Sequence, residues 1–249
     1  MQDEQPASRI VKLTAAGRQL DAAIRMSLAD EDVVAITTLA AAAYRVLRDL
    51  RTHQGHRVLE DQLKAEAVGV ARALARGELS KREIEILSGD PAWDFIGRLA
   101  DFIREIGPEL SMDQLRDRVT MPIPPDLERK VWKTVNRIPN FLKHADSDPT
   151  GDIAESEIDP REMILKSCVL YSDLAGGVSP EMQVWYALEI CTHADVRPTY
   201  EPVATMIKKF EATPAEWRKA LAIEMIDALK ELERSDESEQ TAASGDQDA

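Results

Sequence analysis

The stretch DLERKVWKTVNRIPNFLKHADSDP, residues 126–149, holds the side chains best suited to chemistry. Arg129, Lys133, Arg137, Asn140 and His144 recur at spacings of three or four, which places them along one face of a helix. Lys143 adjoins that row. A guanidinium such as that of Arg137 offers two N–H donors at once to the oxygens of a pentavalent, phosphorane-like centre. An imidazole such as that of His144, with an ordinary pKa of about 6.5, gives or takes a proton at neutral pH. Asn140 can orient either group or hold a phosphate oxygen. Arg137, Asn140 and His144 therefore form a candidate catalytic set for RNA cleavage without a metal or cofactor, in which the 2′-hydroxyl attacks the adjacent phosphate. Arg129, Lys133 and Lys143 are the candidate phosphate contacts. Arg137 and His144 stand two turns apart, roughly 10 Å along a helix axis. A two-fold dimer pairing two copies across a cleft would close that gap.

The same row has a plainer reading. Arg129, Lys133 and Arg137 also suit a solvated helix face that pairs with neighbouring carboxylates. His144 also suits a helix C-terminus, where the dipole and Asp146 or Asp148 favour it. The chain is then a non-catalytic helical dimer, a protein-interaction scaffold. Other candidates carry less. His53 and His56 with Glu60 or Asp61 make a weak metal set, and Cys168, Cys191 and His193 lack a Cys-x2-Cys pair. No metal site is expected. Nucleophile elbows, phosphate loops and dinucleotide fingerprints are absent from the sequence.

The elements that position these residues are helices. Leu13, Ala16, Leu20, Ile24 and Leu28 share one face, and Ile36, Leu39, Ala43, Val46, Leu47 and Leu50 share another. Asp30 is a candidate N-cap between these two segments, which form a helical hairpin. Capping-box spacings at Ser80/Glu83, Ser111/Gln114 and Thr213/Glu216 mark later starts, as do the prolines of Asp90-Pro91, Ser179-Pro180 and Thr213-Pro214. Helices are predicted near 10–29, 31–52, 58–76, 80–88, 91–106, 111–118, 126–145, 160–175, 180–193, 201–211 and 213–233. Pro139 should kink or restart the seventh. The stiff stretch TMPIPPD, from Thr120 to Asp126, is the best internal boundary, and Asp146 to Asp159 is an acidic loop. Trp93, Trp132, Trp185 and Trp217 all fall in helical patterns and read as core or groove residues.

Composition agrees with this class. Of 249 residues, 44% are hydrophobic and 31% charged, enough for a packed core, while aromatics reach 5%. Two cysteines fit reduced thiols in a cytoplasmic protein. No apolar run approaches the roughly 18 residues that span a bilayer, and the opening MQDEQPAS is not a secretory signal. The formal charge is −14, of which residues 231–249 carry −6, with seven carboxylates against Arg234. That tail reads as disordered and solvating. The body remains acidic, which disfavours an extended duplex-DNA surface.

The Arg-x6-His spacing of Arg137 and His144, behind an amphipathic helical hairpin, resembles the HEPN superfamily. The opening RQLDAAIRMSLADEDVVAITTLAAAAYRVL is similar to that family's first two helices, and NFLKHADSDP is similar to a signature of uncharacterised bacterial proteins. The resemblance implies an all-α bundle, a homodimer, and a metal-independent endoribonuclease of toxin, defence or RNA-processing type, with an RNA or protein partner. On this reading residues 1–9 are disordered, 10–195 form a HEPN-like helical domain, 196–233 add C-terminal helices packed on it, and 234–249 form the disordered acidic tail.

Overall fold

The computed structural model of the chain describes residues 11–56, 58–90, 92–143, 150–191 and 201–245. Among them the chain is helical, without a strand. The helices are α1 (Lys12–Leu28), α2 (Val33–His53), α3 (Val58–Arg76), α4 (Lys81–Ser88), α5 (Trp93–Ile106) and α6 (Met112–Arg118). They continue as α7 (Pro125–Val135), α8 (Arg137–Lys143), α9 (Pro160–Ala175), α10 (Pro180–Ile190), α11 (Glu201–Ala212) and α12 (Arg218–Gly245). Each falls within a few residues of its periodic segment, except the last. No helix among the described residues is long and apolar enough to cross a membrane.

The described residues divide into two compact units: those up to Leu50 with those from Thr150 onward, and Arg51 to Lys143. The internal boundary that the sequence places at TMPIPPD falls inside the second unit, for a physical reason. Val119, Ile123 and Leu127 are buried in one cluster with Ala71, Phe95, Leu99, Ile103 and Leu115. The proline-rich stretch is thus packed into the core of the second unit instead of separating two. Two capping boxes start helices of this unit as expected. Ser80 and Glu83 bond each other's backbone N–H groups at 3.3 and 2.7 Å, and Ser111 and Gln114 do so at 3.2 and 2.9 Å.

The first unit is built on the α1 stripe, in which Ala16, Leu20, Ile24 and Leu28 are all buried. α1 packs against α9, α10 and α12, and α10 packs against α11 and α12. Ser179 caps α10 and Pro180 occupies its first turn, and Asp159 with Pro160 repeats the device at α9. Asp32, not Asp30, caps α2, through a 2.8 Å bond from the Ala35 N–H. Asp30 instead holds a left-handed backbone (φ 55°) after α1, and its carboxylate meets Lys219. Thr213 does not cap either; its hydroxyl bonds back to the Lys209 carbonyl at 2.7 Å. The predicted end at Glu233 is also passed, since α12 continues to Gly245 through what the sequence assigns to a disordered tail. Ser235 and Ser238 bond carbonyls one turn back, at 2.9 and 2.8 Å, so their hydroxyls are satisfied within the helix itself.

At Gly17 α1 lies close against Tyr171 of α9. A Cβ there would lie 2.8 Å from Tyr171 Cε2 and 3.1 Å from its hydroxyl. Gly17→Val should therefore destabilise the protein by about 1–3 kcal/mol, the usual cost of overpacking. Urea unfolding should show that cost shrink in the Tyr171→Ala background. An equal loss in both backgrounds would place the strain elsewhere.

Candidate functional site

α7 and α8 form almost one helix. The ladder runs from Asn136 N–H to the Trp132 carbonyl at 3.1 Å and from Asn140 N–H to the Asn136 carbonyl at 2.8 Å. Between them Asn136 is a single turn residue, three before Pro139. Proline has no N–H to give, but as the third residue of α8 it occupies a first turn, where N–H groups lack intrahelical acceptors anyway. The expected restart therefore occurs, one turn ahead of the proline. Asn136 adds a side-chain bond, its Nδ2 donating to the Trp132 carbonyl at 2.8 Å.

One side of this pair is buried, at Leu127 and Pro139, with Ile138 and Leu142 half-buried. Arg129, Lys133, Arg137, Asn140 and Lys143 are all exposed. The row foreseen for phosphate contact is thus continuous over both helices. Residues 125–143 carry five cations against Asp126 and Glu128, a local +3 in a chain of −14. The candidate proton-transfer group, His144, lies outside the described residues, as do Asp146, Asp148 and His193. Two aromatic rings that the sequence reading gives to core or leaves aside are exposed here: Trp132 at 40% and Phe141 at 38%. Trp217 is also exposed, whereas Trp185 is buried as expected.

The first unit holds a second polar constellation that spacing did not reveal. Glu181 is 1% exposed and takes both Arg25 of α1 and Lys230 of α12 as partners. Beside it the Ser179 hydroxyl donates to Asp21 Oδ1 at 2.6 Å. Burial raises the Asp21 carboxyl above its ordinary range, Ser179 opposes that, Glu181 adds to it, and Arg25 and Lys230 oppose it. Arg25 also borders a cavity of about 400 Å³ between α1 and α12, floored by Ala22, Met26, Ile223 and Ile226. In sequence, Glu181 reads as an ordinary first-turn acid. Its burial arises only because α1 and α12 cover the start of α10.

The thiols are structural. Cys168 is buried, and burial with the Asp21 charge nearby pushes its pKa up to about 12. Cys191 is likewise buried and shifted upward, mainly by desolvation, and its Sγ lies 2.9 Å from the Leu188 carbonyl. Both therefore stay protonated and poorly nucleophilic at neutral pH. His53 and His56 are exposed. Among the described residues, no three His, Cys, Asp or Glu side chains are grouped to hold a metal.

No protein family, curated protein sequence or solved structure matches the chain.

Because the folded-state pKa of Asp21 is raised, its contribution to stability is full at acid pH and is lost as pH rises through that pKa. Asp21→Asn keeps an acceptor for Ser179 without the buried charge. Its thermal midpoint at pH 7 should equal or exceed that of the parent, and the difference should close as pH falls into the range where Asp21 is protonated. A midpoint clearly below the parent's at pH 7 would show that the charge, through Arg25 and Lys230, is needed.

Proposed function

We propose that the exposed face of α7 and α8 binds RNA and that Arg137, Asn140 and His144 cleave it. The observation that carries this reading is the uninterrupted row of exposed cations on a helix pair whose opposite side is buried, within an otherwise acidic chain. The resemblance of Arg137 and His144 to the HEPN motif supports the reaction class. Arg129, Lys133 and Lys143 track phosphates, as point charges or bidentate forks. The 2′-oxygen then attacks the adjacent phosphorus as the bond to the 5′-oxygen breaks, leaving a 2′,3′-cyclic phosphate and a 5′-hydroxyl. His144 relays the proton lost by the 2′-oxygen to the departing 5′-oxygen, and Arg137 balances the charge that builds on the phosphorus oxygens. A homodimer belongs to the same proposal, a second copy supplying the partner row across the cleft.

RNA incubated with the parent protein in EDTA should yield cyclic-phosphate ends. His144→Ala and Arg137→Ala, with circular dichroism unchanged, should cleave at least about 100-fold more slowly, the usual weight of one acid–base or oxyanion group. Equal cleavage by parent and variants ends the enzyme reading. Binding without cleavage by the parent reduces the face to an RNA-contact module. The absence of both favours the alternative, a non-catalytic interaction scaffold, and light scattering on the same samples reports whether that scaffold is a dimer.

A further inference from the structure

The cation row is bracketed by two rings. Trp132 follows Arg129 by three residues and Phe141 follows Arg137 by four, so each aromatic neighbours an arginine on the helix surface. Both rings are large and apolar, yet 40% and 38% exposed, on helices with apolar positions buried behind them. Such rings carry the largest hydrophobic gain on burial, and here that gain is only partly taken. Exposing two of them beside five cations instead suits a ligand with both a polyanionic backbone and flat apolar faces. Paired nucleic acid hides its base faces inside the stack and offers a helix surface little besides phosphate. An unpaired strand offers phosphates and free base faces together, and aromatic rings are the general platform for the latter.

From this we infer that Trp132 and Phe141 are base-stacking positions that make the α7–α8 face a reader of single-stranded RNA. The selection lies in the rings, and the attraction in the cations. Trp132 and Phe141 stand nine residues apart, roughly 13 Å along the helix pair and about half a turn around it, so they flank the two edges of the cation row and engage separate nucleotides, with Lys133 and Arg137 between them. Single-strand preference presupposes that this face binds RNA at all, and the two ideas fail differently.

The test is a titration of the full chain with a fluorescein-labelled 12-nucleotide single-stranded RNA and with the same strand annealed to its complement. Trp132→Ala should weaken single-strand binding roughly 5- to 150-fold, the range measured for one lost stacking partner. Trp132→Phe should restore most of it, and Phe141→Ala should give a smaller loss in the same direction. Duplex binding should be weaker in the parent and unmoved by either aromatic substitution. Lys133→Gln should weaken both ligands. If Lys133→Gln weakens single-strand binding while Trp132→Ala and Phe141→Ala leave it unchanged, the stacking role is overturned and RNA contact through the cations stands. If neither RNA binds the parent protein, both ideas fall.

Discussion

A proline buried in α8 is the constraint on which the candidate site depends. Pro139 supplies no N–H, and in the middle of a helix that loss with its steric clash costs about 3 kcal/mol. A turn residue at Asn136 interrupts the helix three residues earlier, and Pro139 falls in the first turn of α8. Asn140 still reaches the Asn136 carbonyl at 2.8 Å, so the helix resumes at once. The proline ring then serves as an apolar anchor. With Leu127 and Pro139 buried, the opposite side of both helices must face water, and that side carries Arg129, Lys133, Arg137, Asn140 and Lys143.

Charge is handled in an opposite manner in the first unit. There the carboxylate of Glu181 is nearly sealed off and meets two cations from different helices, Arg25 and Lys230, of which Arg25 remains about half exposed. Sequestering an ion costs several kcal/mol, recovered only when its partners are held in place. Such an arrangement fixes α1, α10 and α12 against one another while adding little net stability. Arg161 adds an α9–α10 clasp by giving both Nε and Nη2 to Glu189, at 3.0 and 2.5 Å. The cations on α7 and α8 lie instead at the surface, exposed to solvent.

Much of this was legible in the sequence because helical periodicity and capping are local. The stripe from Leu13 to Leu28 and the boxes at Ser80 and Ser111 needed no knowledge of distant residues. Asp30 misled because Asp, like Asn, also tolerates the left-handed backbone that follows a helix, and Asp32 two residues later took the cap. The acidic segment after Glu233 lacks an apolar period, and the helix there continues with serine hydroxyls bonded to its own backbone. The TMPIPPD stretch looked like a boundary by composition, whereas the burial of Ile123 and Leu127 is decided by α3, α5 and α6. In the candidate site the cations were foreseen from spacing alone. The exposure of Trp132 and Phe141 was not, since an aromatic at helical spacing carries no mark of which way it faces.

The central claim is that several cations of one helix face engage phosphates together, and the salt dependence of RNA binding tests it most directly. For a single strand, each neutralised phosphate contributes about −0.7 to the slope of log K against log salt concentration. The parent protein should show a steep linear dependence, and Lys133→Gln with Arg137→Gln should flatten it by about 1.4. An unchanged slope in the double variant would place any RNA contact elsewhere and contradict the account.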